Sequence, residues 1–505
     1  MSSAQSVADE LKRRGVALTG ICADSRQLRA GEVFVALSGV HGDGRAHIDE
    51  ALARGAAAVL WEDDGHYDAH SACPALAVPA LGVRGLRALS GAIADLVYGR
   101  AAARLRLIGV TGTNGKTSVS QWIAQAMSLL GRPCAVIGTL GSGFPGAMQA
   151  GINTTPDLLG LRRTLSALAD AGAEACALEA SSIGLVEGRV EGLEFAVAVF
   201  TNLSRDHLDY HADMAEYGDA KARLFAAPGL ESAVLNLDDE FGRTLCARLS
   251  GSGVRRLGYT LGPADRLAGL AEEILAAEDL RITGGGIHFT AHFTARGGES
   301  RARVEARLHG RFNAANLLAV LGALVASGYP LSAAAAVLAQ LTPPPGRMQA
   351  VSEGRDEPLV VVDYAHSPDA LEQALTTLRE VAAARGGRLV CLFGCGGQRD
   401  AGKRPLMGAV AERLADRVLL ANDNPRAEDP QAIIDDILQG MKSAPRVEPD
   451  RAAAIRLAVL AAAARDVVLL AGKGHESYQE LGCTRLPFSD LEQAQRALSA
   501  RRGER

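Results

Sequence analysis

Short apolar runs separated by longer amphipathic stretches recur along this chain, the pattern of β-strands alternating with crossover helices. Near the N-terminus, Glu32–Leu37 and Ala57–Trp61 read as strands and Leu86–Leu96 as a helix. Arg104–Val110 reads as a strand and Thr117–Leu130 as the helix that follows it. Further strands are predicted at Ala175–Leu178 and Phe195–Phe200, with a helix over Ala215–Ala226. Thr342-Pro-Pro-Pro-Gly346 cannot continue a helix and marks a linker. Beyond it a second alternating pattern begins, with strands at Leu359–Asp363, Arg388–Phe393, Arg417–Ala421 and Asp466–Ala471. The expected class is α/β, in three blocks: residues 1–100, 101–345 and 346–505.

Length supports that division, because 505 residues exceed what one hydrophobic core organises. A hydrophobic fraction of 48% and a charged fraction of 22% fit an ordinary globular chain. The net charge of −5 gives no reason to expect a nucleic-acid or membrane-surface partner. No signal-peptide run and no apolar stretch long enough for a span is present in the sequence, so a cytoplasmic location is expected. The eight cysteines are scattered. Cys391 and Cys395 form the closest pair and have no second pair to complete a zinc site, so reduced buried thiols are expected.

Gly112-Thr-Asn-Gly-Lys-Thr117 lies between the strand and the helix of the middle block. Gly112 and Gly115 let backbone amides of Thr113 and Asn114 approach phosphate oxygens, and a helix N-terminus favours anions. Lys116 is placed to reach the β- and γ-phosphates, and the Thr117 hydroxyl to help hold the metal. A strict Walker A would have glycine where this chain has Val110; Gly109 and Gly112 stand instead. Glu179 ends an apolar strand, where α/β proteins bind ligands, and its carboxylate suits magnesium.

Thr111-Gly-Thr-Asn-Gly-Lys-Thr117 resembles the ATP loop of the Mur ligases and their folylpolyglutamate synthetase relatives. Thr201-Asn-Leu-Ser-Arg-Asp-His-Leu-Asp-Tyr-His211 resembles the Mur signature closely. The resemblance covers nearly the whole chain. It implies ATP and Mg²⁺ as cofactors, with Ser118, Asn313, Arg347 and His366 joining the loop at ATP. It implies His207 and a carbamylated Lys221 as metal ligands beside Thr117 and Glu179. Taken alone, Lys221 reads as a solvated lysine, and His366 as a core histidine with equal weight.

The same resemblance implies a central P-loop ATPase-like parallel sheet, a Rossmann-like C-terminal domain and a small α/β N-terminal domain. It places a uridine-nucleotide dipeptide, UDP-MurNAc-L-Ala-D-Glu, on Ala23, Ser25, Val40, His41 and Gly42, and on Asn153, Thr154, Thr155, Ser181, Glu187 and Arg189. Asp423-Asn-Pro-Arg426 accompanies meso-diaminopimelate specificity in this family, so Asp423, Asn424, Pro425 and Arg426, with Arg399, Gly472 and Glu476, are the implied amine site. A forked guanidinium suits the second carboxylate that distinguishes diaminopimelate from lysine. The bland reading of that tetrapeptide is a helix-start turn with proline at the first helical position. Two positions depart from the family pattern: Ile183 where histidine is usual and Gln349 where glutamate is common. The implied reaction is amide formation through an acyl phosphate by a monomeric enzyme. A lysine-adding or folate-type ligase and a non-catalytic ATP-binding regulator are the rivals.

Overall fold

The computed structural model describes residues 3–38, 42–67, 76–267, 269–283, 286–352, 356–482 and 484–503. Val40 and His41 fall outside the described residues. The chain divides into two compact units. The first comprises residues 1–110, 131–198 and 223–231, and the second residues 111–130, 199–222 and 232–505.

The first unit opens with a four-stranded parallel sheet in the order β1 (Ile21–Cys22), β2 (Val33–Ala36), β3 (Ala58–Glu62), β4 (Ala80–Val83). Its strands are apolar on both faces. Val33, Val35, Ala58 and Leu60 pack with the helices Ala4–Arg13 and Leu86–Tyr98. Phe34, Ala36, Val59 and Trp61 face the opposite layer with Ile48 and Ala51. Such two-sided burial explains continuous apolar runs in place of strict alternation. A second group of strands in this unit comprises β5 (Arg106–Thr111), β6 (Cys134–Gly138), β7 (Gly141–Phe144), β8 (Ala147–Gln149) and β9 (Ala175–Glu179). β9 lies between β5 and β6, parallel to both, and Glu179 is paired in register with Val110. β10 (Val197–Phe200) begins in the first unit and ends in the second.

In the second unit β11 (Ser232–Asn236), β12 (Arg255–Thr260) and β13 (Glu273–Thr283) are parallel. β14 (Gly286–Ala295) and β15 (Gly298–Ala306) then run antiparallel. This antiparallel extension adds to the strand–helix alternation read for the middle block. The helix Arg311–Ala326 is apolar on all sides and buried from Asn316 onward, as a helix enclosed by other elements must be. Thr342–Gly346 contains no helix or strand. It is tethered all the same, because Trp122 Nε1 donates to the Thr342 carbonyl at 2.9 Å.

After Gly346 the strands β16 (Gln349–Ala350), β17 (Leu359–Asp363), β18 (Leu389–Phe393), β19 (Arg417–Leu420), β20 (Arg446–Val447) and β21 (Val467–Ala471) form one sheet, in the order β16-β17-β21-β18-β19-β20. Val361, Leu389, Cys391, Phe393 and Leu469 face the helices Pro368–Arg385, Lys403–Leu414 and Pro430–Leu438. Val360, Val362, Val390, Leu392 and Leu470 face Arg451–Ala461 and Asp490–Arg502. The strand order reverses at β21, so this is a doubly wound sheet whose carboxyl ends form the crevice for ligands. A two-stranded antiparallel hairpin, β22 (Tyr478–Leu481) and β23 (Thr484–Pro487), follows β21. Among the described residues no helix is long and apolar enough to cross a membrane, and the described cysteines are buried and free.

Candidate active site

The loop after β5 starts the helix Lys116–Leu129, with Gly115 as its N-cap at φ 88°. Gly112 has φ 147°, and a Cβ there would lie 1.9 Å from Thr201 Oγ1. Only glycine lets the loop pass this close to the segment following β10. The two segments are then stitched together. Thr201 Oγ1 donates to the Asn114 carbonyl at 2.6 Å, and Asn114 N donates to Asn202 Oδ1 at 2.9 Å. A Cβ on Gly115 would meet Asn316 Oδ1 at 2.5 Å, which sets the start of the helix Arg311–Ala326 against the loop. Asn313 sits there too, giving its amide to the His309 carbonyl and accepting from Asn316.

Lys116 Nζ lies 2.9 Å from the carbonyls of Gly112 and Thr113. Lys221 Nζ reaches the same Gly112 carbonyl at 2.9 Å and packs over the Tyr217 ring at 4.0 Å. Lys221 is 1% exposed, which excludes the solvated-lysine reading. Burial, reinforced by the neighbouring Lys116 charge, holds its amine well below the usual lysine range. His207 is half-buried; desolvation, with the neighbouring Lys116 and Lys221 charges, lowers its pKa to about 3. Its imidazole is therefore neutral, the form that ligates metals.

Asp206, one residue before it, is the charged centre of a buried cluster. Lys403 Nζ donates to Asp206 Oδ1 at 3.1 Å, and His366 Nε2 lies 3.4 Å from Asp206 Oδ2. Burial alone would raise this carboxyl, but the hydrogen bond from His366 and the Lys403 charge outweigh it and hold the group well below its ordinary value. His366 is thus turned toward a carboxylate, with its Nδ1 2.8 Å from the Tyr364 carbonyl. Further links run from the phosphate loop and the 201–211 segment to the C-terminal sheet. Arg347 Nη2 donates to Thr117 Oγ1 at 2.9 Å, Asn114 Nδ2 to Asp369 at 2.8 Å, and Arg205 pairs with Asp400 at 3.2 Å. Ser118 is buried on the helix that follows.

Neither Lys403 nor Asp206 was picked out from sequence. The signal available was Gly402-Lys-Arg-Pro405, just past Gly394-Cys-Gly-Gly-Gln-Arg-Asp400. Lys403→Met should lower the melting temperature more than Lys403→Met combined with Asp206→Asn. The single change strands a buried carboxylate, a loss of about 3–5 kcal/mol, whereas the pair removes both charges. Thermal melts of the two variants measure this; additive losses would contradict it.

In the first unit, Glu179 is fully buried at the end of β9. Its carboxylate accepts from Thr139 N at 3.1 Å and Thr139 Oγ1 at 3.0 Å. A Cβ on Gly138 would come within 2.1 Å of it. Thr154, Thr155 and Ser181 gather around this end of the strand. Thr139 and Thr154 hydroxyls are 3.1 Å apart, Thr155 Oγ1 donates to the Glu179 carbonyl at 2.8 Å, and Ser181 Oγ lies 3.0 Å from Thr155 Oγ1. Arg189 donates to the Thr155 carbonyl at 2.7 Å and pairs with Glu187 at 2.6 Å. Asn153 is exposed beside them. Ser25 is buried with its hydroxyl on Glu50 at 2.7 Å; Ala23 is half-buried and Gly42 exposed.

The implied amine-site residues are brought together at the carboxyl ends of β18, β19 and β21. A Cβ on Gly396 would meet Arg426 Nη1 at 3.0 Å and Arg399 Cγ at 3.7 Å, so both arginines flank that glycine. A Cβ on Gly472 would lie 2.5 Å from Asp423 Oδ2. Asn424 Nδ2 donates to Glu476 Oε2 at 2.8 Å, and the buried Lys473 bonds both Asn424 and Glu476 at 3.0 Å. Pro425 does not open a helix. The next helix is Pro430–Leu438, capped by Asp429, so the helix-start reading of this tetrapeptide is wrong. Lys473 was also missed from sequence, within Gly472-Lys-Gly-His-Glu476. Gln349 has a local task, accepting from Gly346 N at 2.8 Å. Ile183 is partly buried in the short helix Ser182–Val186.

A phosphate loop at the head of one α/β sheet, with a doubly wound sheet downstream, defines an ATP-handling α/β protein of the ligase type. Three profiles of one family match in order: the Mur ligase family catalytic domain over residues 17–98, the Mur ligase middle domain over 110–324, and the Mur ligase glutamate ligase domain over 346–474. The chain is 52% identical to the UDP-N-acetylmuramoyl-L-alanyl-D-glutamate–2,6-diaminopimelate ligase of Pseudomonas aeruginosa, covering 96% of each chain. It is 48% identical to the protein of the same name from Xanthomonas campestris, over 100% of this chain and 98% of that one. A solved structure of a ligase with that name is 37% identical, with a TM-score of 0.61 over 96% of this chain and 95% of that one. Folylpolyglutamate synthase of Mycobacterium tuberculosis complexed with ADP shares the fold at 21% identity, with a TM-score of 0.61 over 76% of this chain and 91% of that one. The chain belongs to the Mur ligase family.

Proposed function

We propose that this enzyme joins meso-diaminopimelate to the γ-carboxylate of D-Glu in UDP-MurNAc-L-Ala-D-Glu, consuming ATP, as a cytoplasmic step of peptidoglycan synthesis. The reading is supported by relatives of that name matching over 96% of the chain. The observation that carries the amine assignment is Arg426, held against Gly396 with Arg399 beside it. We assign residues 1–100 to the uridine nucleotide, 101–345 to ATP and the carboxylate that it activates, and 346–505 to the amine.

The proposed donors suit Mg²⁺ one by one in chemical type; among the described residues no group of three His, Cys, Asp or Glu side chains is gathered in one place. Glu179 is a buried carboxylate, His207 is neutral, and Lys221 is a desolvated amine able to take up carbon dioxide. We assign all three, with the Thr117 hydroxyl, as its ligands. When bound, the cation offsets charge on the phosphates during transfer.

Lys116 holds the γ-phosphate for in-line attack by the D-Glu carboxylate oxygen. That attack forms an acyl phosphate and releases ADP. Thr154, Thr155, Ser181 and Arg189 orient the peptide. Glu476 and Asn424 receive the amine, and Arg426 with Arg399 receives the distal carboxylate. The neutral amine attacks the acyl carbon, the amide forms, and phosphate departs with the amine's proton passing to solvent. No protein nucleophile is required.

Arg426→Ala should raise KM for diaminopimelate about a hundredfold, the loss of a charge-assisted bidentate contact. KM for ATP should stay within about twofold, since no other contact in this scheme depends on Arg426. Steady-state phosphate release against each substrate measures both. Equal losses for both would reject the role.

A further inference from the structure

The hairpin β22–β23 has no part in the scheme so far, yet it grips the tetrapeptide 423–426 at every residue type that can bond. Gln479 Nε2 donates to the Asp423 carbonyl at 2.8 Å, and Glu480 N donates to Asn424 Oδ1 at 3.0 Å. Arg426 itself is held on both sides of its backbone. Its N–H donates to the Glu480 carbonyl at 3.1 Å, and its carbonyl accepts from Gly482 N at 2.8 Å. These bonds make a parallel bridge between Arg426 and Leu481. They also hold Arg426 at φ 53°, a left-handed conformation uncommon for a residue with a Cβ.

The side chain is pinned as well. Arg426 Nε lies 3.2 Å from Glu480 Oε2, and Nη1 donates to the Gly397 carbonyl at 2.8 Å. Glu480 and Arg426 are both mostly buried, so this pair is less screened than a surface one. The second Glu480 oxygen lies 3.6 Å from the exposed Arg485. A guanidinium has five N–H donors. With Nε on Glu480 and one Nη1 hydrogen on Gly397, the remaining donors form an edge presented at a fixed angle.

We propose that Glu480 is a specificity-determining positioning residue. It fixes the rotamer of Arg426, so that the guanidinium edge meets the distal carboxylate of the amino-acid substrate without first paying the ordering entropy of a long flexible side chain. This rests on the amine assignment above. Glu480 acts through Arg426, so its effect falls on selection of the amine and not on the reacting atoms.

The test uses Glu480→Ala and Glu480→Gln in the full chain. In Glu480→Ala, KM for meso-diaminopimelate rises about tenfold. The kcat/KM ratio of diaminopimelate to lysine falls by a similar factor, and kcat and KM for ATP stay within about twofold. Glu480→Gln, which keeps a hydrogen-bond acceptor, recovers part of the loss. An unchanged preference in Glu480→Ala, or an equal rise in KM for ATP, overturns the proposal. A substrate-free readout separates this from the amine assignment. The Arg426 Nε–H resonance, identified by its disappearance in Arg426→Lys, exchanges slowly with solvent in the wild type and fast in Glu480→Ala. Equal exchange in both overturns the positioning role. Slow wild-type exchange together with addition of lysine in place of diaminopimelate overturns only the amine assignment.

Discussion

Lys116→Met is expected to lower kcat by roughly 10³-fold or more, the scale lost when a preorganised cationic donor to a reacting group is removed. The side chain leaves the first residue of the helix, and its Nζ already lies among the loop carbonyls of Gly112 and Thr113. The nearby Lys221 cannot substitute. It is buried, held on the Gly112 carbonyl and packed over the Tyr217 ring. Lys116→Arg should fail too, because a planar fork does not fit where a compact ammonium sits between two carbonyls of one turn. Both variants should still bind a uridine nucleotide through the N-terminal segment. ADP formation with all substrates present is the measurement, and a kcat within tenfold of wild type would contradict the role.

Lys221→Met is expected to cost on the order of 10²- to 10³-fold in kcat, and wild-type activity should depend on dissolved carbon dioxide. In the proposed carbamylation the neutral lysine nitrogen would attack the carbon of CO₂, forming a new N–C bond and releasing one proton to solvent to give a carbamate anion. The step needs the amine uncharged, which burial and Lys116 promote. The resulting oxygens suit a hard cation better than nitrogen does. Degassed enzyme should lose activity and recover it with bicarbonate, and ¹³C-bicarbonate should give a carbamate resonance absent in Lys221→Met. Indifference to carbon dioxide, with no such resonance, would leave Lys221 as a structural lysine only.

The apolar strands were legible in the sequence because both faces of each are buried. Leu359–Asp363 matches its predicted bounds, and the strands predicted at Arg388 and Asp466 begin one residue later, at Leu389 and Val467. The β13–β14–β15 meander was not legible. Its polar positions, among them Glu278, Arg281, Arg301 and Arg303, interrupt every apolar run, and its turns are marked only by glycines. The helix predicted over Ala215–Ala226 breaks into Met214–Ala222 and a 3₁₀ turn, Arg223–Ala226. The candidate site was readable where its chemistry is local in sequence, as in the phosphate loop. It was not readable where a buried charge depends on a partner far along the chain. Lys403 with Asp206, Arg205 with Asp400 and Glu480 with Arg426 each join segments that no periodicity connects.

The most direct test is mass analysis of the product after mixing the chain with ATP, Mg²⁺, UDP-MurNAc-L-Ala-D-Glu and an equimolar set of amines containing meso-diaminopimelate, lysine, glutamate and ornithine. A single new species carrying diaminopimelate, formed with one ADP per product, is the predicted outcome. A lysine or ornithine adduct in its place, or ADP release with no amide product, would contradict the account.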